Sequence, residues 1–164
     1  MKVKLPAIIT SLILLFNLNS SVAQDYSQQG KLYFSGYLST KAMSDLISNS
    51  LPTLEDCKLI FKGKYAYTYF GMLEEAKIEL TKSINQENKS FEDVNLYAFS
   101  TQDILLGQAN YASGILKENI ENLQPYVIFY KLEFLKLKGD TAGISYKYWV
   151  NINGKWVFVP HKLL

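Results

Sequence analysis

The chain has 164 residues, 48% hydrophobic and 14% aromatic, which suffices for one domain with a single hydrophobic core. Its formal net charge of +2 is accounted for by Lys2 and Lys4, so the remainder is neutral with no basic tract, and nucleic acid is not an expected partner. Arginine is absent, which removes the usual bidentate clamp for phosphate or carboxylate, and the one cysteine, Cys57, leaves an isolated chain no disulfide to form.

Residues 1–23 read as a secretory signal peptide. Lys2 and Lys4 precede an apolar run from Leu5 through Phe16, and Ser21-Val22-Ala23 places small residues where a signal peptidase reads them. The run of roughly 12 residues is short of the about 20 that span a bilayer, so no membrane span is expected. Cleavage near Ala23 would release a periplasmic or secreted protein. Residues 24–38 are polar with scattered aromatics and read as a loosely ordered N-terminal arm, leaving 39–164 as the single domain.

Ser39 or Thr40 can cap a first helix, in which Met43, Leu46, Ile47 and Leu51 recur on one face. Pro52 breaks it. Thr53 caps a second helix whose first turn holds Glu55 and Asp56, where negative charge suits the helix dipole. These neighbouring acids cannot face one another on a helix, so they stabilise its start and do not form a catalytic pair. Cys57 falls on the buried side of that helix as a small apolar group. After Gly63, a longer helix runs from about Lys64 to Ser83, with Tyr65, Tyr69, Met72, Leu73, Ala76 and Leu80 at the helical period.

Val94 to Ser100 alternates as a strand, Val94, Leu96 and Ala98 against Asn95, Tyr97 and Phe99. Ser100 or Thr101 caps a short helical turn through Leu106, Gly107 to Gly114 is a loop, and Ile115 to Leu123 a further turn of helix. A three-stranded antiparallel meander follows: Tyr126 to Lys138, Ile144 to Ile152, and Lys155 to Val159. In the second run Ile144, Tyr146, Tyr148, Val150 and Ile152 alternate without a break. Asn153-Gly154 supplies the two residues that tolerate positive φ in a type I′ hairpin. That turn sets Val150 opposite Val157 and Trp149 opposite Phe158. A three-residue loop at Gly139-Asp140 would keep Tyr146, Tyr148 and Val150 beside Ile128, Tyr130 and Leu132.

The fold class is therefore α+β, with N-terminal helices packed on a curved antiparallel sheet. This order, from Thr40 to His161 and closing on Asn153-Gly154-Lys155-Trp156-Val157-Phe158-Val159-Pro160, resembles the cystatin-like or nuclear transport factor 2-like group, in which a curved sheet wraps helices into a cone. The segment Leu51 to Cys57 with the same ending also resembles small secreted proteins of Bacteroidetes-type bacteria with no assigned activity. The wider group includes isomerases, dehydratases and cyclase-like enzymes with an Asp-His pair in the cone. Here the only histidine, His161, is near the chain end, and the pair cannot be assigned.

The chain carries no glycine-rich phosphate loop and no cysteine pair at metal spacing, so neither cofactor nor metal is expected. No catalytic constellation is assigned. The first functional reading is a noncatalytic binding or association module. Tyr126, Tyr130, Tyr146 and Tyr148, with Asp103 at a cavity mouth, would take an apolar small molecule or a peptide. The second reading is a small lyase, isomerase or hydrolase with Asp103 or Glu133 as base and tyrosines as acids. Glu133, between Leu132 and Phe134, is expected to point to solvent or blunt an edge. Phe129, Trp149, Trp156 and Phe158 would share the sheet face away from the helices, either as an association surface for a homodimer or protein partner or covered by the N-terminal arm, residues 24–36.

Overall fold

A computed structural model describes residues 27–83, 89–140 and 143–164, with the side chains of 81–83 excepted. The expected leader, 1–23, lies outside the described residues. The described chain opens in helix α1, 27–34, followed by a 3₁₀ turn at Ser35–Tyr37. Residues 27–34 of the expected loose arm are thus helical.

Each following helix starts where a short polar side chain can take an orphan backbone N–H. For α2, Thr40–Asn49, Ser39 Oγ accepts from the Ala42 N–H at 3.2 Å. For α3, Leu54–Ile60, Thr53 and Asp56 form a reciprocal capping box. Helix α4 runs Gly63–Ser83 as the apolar periodicity requires. Strand β1 is Asp93–Ser100, and a second capping box, Ser100 with Asp103, opens α5, Thr101–Leu105. Ser113 caps α6, Gly114–Glu118.

Strands β2, Ile128–Leu135, β3, Ile144–Ile152, and β4, Lys155–Phe158, complete one four-stranded antiparallel sheet in the order β1-β2-β3-β4. The protein is α+β, its helices largely N-terminal to the meander. The β3–β4 hairpin has the register that its alternation and turn require, Trp149 opposite Phe158 and Val150 opposite Val157. Asn153 and Gly154 take φ of 52° and 86°, the left-handed region of a two-residue turn.

The β2–β3 pair departs from expectation. Phe134 faces Ile144 and Leu132 faces Tyr146, but beyond an irregularity Tyr130 faces Trp149 and Phe129 faces Val150. A one-residue shift moves every later side chain to the other face. Tyr146 and Tyr148, expected side by side, therefore lie on opposite faces. The connection from Phe134 to Ile144 is also longer than the expected three-residue loop, and residues 141–142 within it lie outside the described residues.

Both sheet faces are covered. On one, Phe99, Phe129, Tyr148, Val150 and Val157 form a core with Cys57, Ile60, Phe61 and Tyr69. On the other, Tyr130, Leu132, Phe134, Trp149, Trp156 and Phe158 pack with Phe34 of α1 and Met43, Leu46 and Ile47 of α2. The expected association surface is corrected accordingly. Trp149, Trp156 and Phe158 do come together, but α1 and α2 bury them, and Phe129 belongs to the opposite face. The Phe34 ring lies 4.8 Å from that of Trp149 and 5.1 Å from that of Trp156. Apolar area of this size gains more from a helix of its own chain than from solvent.

Gly30 makes that approach possible. A Cβ there would come within 2.5 Å of Leu96 Cδ2 and 2.7 Å of the Trp156 ring. Gly30→Val should therefore cost about 1–3 kcal/mol through overpacking, read as a lower urea midpoint and a red-shifted tryptophan emission.

The hairpin is tied to α3 by charge. Lys155 Nζ lies 2.7 Å from Asp56 Oδ2, which also accepts from the Thr53 backbone and hydroxyl. Burial pushes the Asp56 carboxyl up, but Lys155 and Thr53 outweigh it and hold the carboxyl below its ordinary value. A lowered folded value gives stability that is present above the unfolded value and lost as pH falls through the folded one. Asp56→Asn should cost about 1–3 kcal/mol at neutral pH. In urea melts at descending pH, its gap to the parent should close below the ordinary carboxylate range.

Candidate binding cleft

β1 ends the sheet. Among the described residues its inner edge pairs with β2, from Asp93 opposite Leu135 to Ser100 opposite Ile128, and its outer edge pairs with no strand. Alongside that outer edge lies a cleft of about 380 Å³ lined by Ser27, Gln28 and Lys31 of α1 and Asn95, Leu96 and Tyr97 of β1. The volume is within the range of small-ligand sites, though the cleft is shallow and open to solvent, not an enclosed cavity. The lining is uncharged apart from Lys31. Its ammonium lies 3.5 Å from Asp93 Oδ1, which also accepts the Val94 N–H.

Behind the cleft, the same two strands build a polar and aromatic cluster. In the β1–β2 register Asn95 faces Glu133 and Tyr97 faces Lys131, so the four alternate positions share one sheet face. Lys131 Nζ and Glu133 Oε1 are 2.5 Å apart with side chains only 17% and 13% exposed. The Tyr97 ring stacks on Tyr111 at 4.3 Å, and the Lys131 ammonium lies 5.5 Å from both ring centroids. Asn95 Nδ2 donates to the Tyr97 hydroxyl at 3.4 Å. Burial, with the Glu133 carboxylate next, raises the Tyr97 hydroxyl above its ordinary value, so it stays protonated as a donor.

The residues singled out from sequence do not converge. Tyr130 is buried against Trp156, ring centroids 5.0 Å apart, on the α1–α2 face. Tyr146 lies on that face beside Phe134. Tyr148 is on the other face, its hydroxyl accepting from the Ser113 N–H at 2.6 Å and donating to the Tyr111 carbonyl. Tyr126 is 67% exposed in the turn before β2, with φ of 66°. Asp103 lines no cavity mouth with these tyrosines; its carboxylate is the cap of α5, accepting from the Ser100 backbone at 2.6 Å and hydroxyl at 2.8 Å. Glu133, expected to point to solvent, sits on an interior strand and is paired with Lys131.

Cys57 is fully buried, and burial, with Asp56 adding to it, pushes its thiol up to about 12, which makes it a packing group. Burial, with Lys147 next, lowers His161 and favours neutral imidazole. Among the described residues no group of three or more His, Cys, Asp or Glu side chains could hold a metal, and no helix is long and apolar enough to cross a membrane. No family model, curated protein or solved structure matches the chain.

The cluster was missed from sequence because its members lie on two strands about 35 residues apart, and only the β1–β2 pairing brings them together. The available signal was Asn-x-Tyr in one strand and Lys-x-Glu in another, each at period two. A largely buried ion pair is costly to break singly and cheaper to replace whole. Lys131→Met and Glu133→Leu should each cost about 3 kcal/mol, and the two together less than either, measured by urea denaturation as a double-mutant cycle.

Proposed function

We propose that the protein is a noncatalytic binding module, exported and acting in the periplasm or outside the cell, whose ligand is held in the cleft beside β1. The observation that carries this reading is the cleft itself, with hydrogen-bonding groups from α1 on one wall and Leu96 and Tyr97 on the other. Binding sites of this kind combine apolar area with a few placed polar groups. The leader-like composition of residues 1–23 supports an exported protein.

Acid–base chemistry has less support. A general base needs a free carboxylate within reach of a substrate proton. Asp103 is committed to its cap and Glu133 to Lys131.

The test is a titration of the ¹⁵N-labelled full chain with a mixed library of small polar-aromatic fragments and short peptides, followed by NMR. Shifts should concentrate at 27–31 and 95–97, and Tyr97→Ala should weaken them at least fivefold while the remaining spectrum stays folded. Shifts confined to other surfaces, or none at all, would remove the reading.

A further inference from the structure

Resting on the cleft as the binding site, we infer that its ligand is an extended peptide segment of another protein, added to the sheet as a fifth strand along β1. An edge strand presents a row of unpaired N–H and C=O groups, and soluble proteins blunt such edges from within by Lys, Pro, a bulge or short length, or cover them with a helix or loop. β1 has none of these within it. Its eight residues, Asp-Val-Asn-Leu-Tyr-Ala-Phe-Ser, contain no lysine or proline, and its register against β2 runs from end to end without a shift. Its only charge, Asp93, is at the first position and is paired with Lys31.

The neighbouring helix decides the kind of occupant. Ser27, Gln28 and Lys31 of α1 line the same cleft as Asn95, Leu96 and Tyr97, so the space beside the edge is walled by a helix. A further strand with its side chains takes roughly 160 Å³ per residue, from a rise of about 3.3 Å, a strand spacing of about 4.8 Å and a layer of about 10 Å. The 380 Å³ cleft therefore holds two to three residues of extended chain, matching the three strand residues that line it. A second copy would bring its own α1 against this one, which a single peptide does not. Because the only charge in the lining, Lys31, has Asp93 3.5 Å away, the cleft offers no unbalanced charge and suits an uncharged segment. Leu96 and Tyr97 point to opposite sheet faces, so the segment should alternate an apolar residue on the Leu96 side with an aromatic or hydrogen-bonding one on the Tyr97 side.

The probe is a heptapeptide selected from a phage-displayed random library on the full chain, then synthesised with its backbone amides N-methylated at alternate positions in either phase. Strand addition predicts that the parent peptide protects the outward amides of 93–100 from hydrogen exchange. It also predicts that one N-methylation phase weakens binding at least tenfold while the other leaves it nearly unchanged. Shifts at 95–97 with both phases equally tolerated would overturn strand addition and leave the cleft reading standing. Edge amides already protected without peptide would overturn it too. In that case a dimeric elution volume would mark a second copy, and a monomeric one the chain's own segment before Ser27. Failure to select any peptide, in a chain whose cleft still takes fragments, would reassign the site to small molecules.

Discussion

The one-residue shift between β2 and β3 is the constraint on which the rest of this structure depends. Without it, Tyr146, Tyr148 and Val150 would share a face, and Trp149 would lie opposite them for the whole strand. With it, the strand divides: the Tyr146 end joins Leu132 and Phe134, while Tyr148 and Val150 turn to the other core. Each face of the sheet then carries enough apolar area to need its own helical cover, and both have it. The Tyr148 hydroxyl, buried by this arrangement, is satisfied by Ser113 and Tyr111, which anchors the loop before α6.

On the second face, core packing also shapes the proposed binding cleft. Phe34 fills the space between the two tryptophans, and Gly30 lets α1 come close enough for it to do so. The same seating places Ser27, Gln28 and Lys31 beside the edge of β1 that pairs with no strand among the described residues. A helix that were farther from Trp156 would leave an open edge with no wall, and one lying across β1 would close it. The cleft is therefore a by-product of core packing on an edge that the sequence does not blunt, and its shape inherits the rigidity of the core behind it.

Much of the architecture was legible in local sequence because its causes are local. The caps at Ser39, Thr53, Ser100 and Ser113 and the Asn153-Gly154 turn act over three or four residues, and the amphipathic stripe of α4 over its own length. The β3–β4 register followed from that turn alone. The shift between β2 and β3 has no such local cause. An unbroken alternation from Ile144 to Ile152 gives no sign that the strand changes faces midway, since apolar residues suit either side of a doubly covered sheet. The same ambiguity misplaced the aromatic rings. Trp149, Trp156 and Phe158 do share one face, and of its two expected fates the cover by the N-terminal arm is the one observed, through a helix at 27–34 whose polar composition conceals one buried phenylalanine. Of the tyrosines grouped as a ligand site, that shift sends Tyr148 to the other face from Tyr130 and Tyr146, Tyr126 stands exposed before β2, and Asp103 is taken up by its cap. The Asn95, Tyr97, Lys131 and Glu133 cluster required a pairing between distant strands that no single-strand pattern encodes.

Under the proposed reading, the cleft also limits what kind of binding it can support. A peptide of two to three residues beside Asn95–Tyr97 gains a few main-chain hydrogen bonds at a net of about 1 kcal/mol each. Association costs at least about 4 kcal/mol of lost translational and rotational freedom. The main chain alone therefore does not hold a ligand, and the balance must come from side chains laid over Leu96 and against the Tyr97–Tyr111 stack. The Lys131–Glu133 pair beneath that stack stiffens it, since moving either tyrosine would expose or unpair a largely buried charge. A rigid aromatic shelf beside an unblunted edge favours short, weakly held segments. Tight binding would then require repetition, either of the segment in its partner or of this domain at a surface, so that the second contact forms at the high effective concentration set by the first.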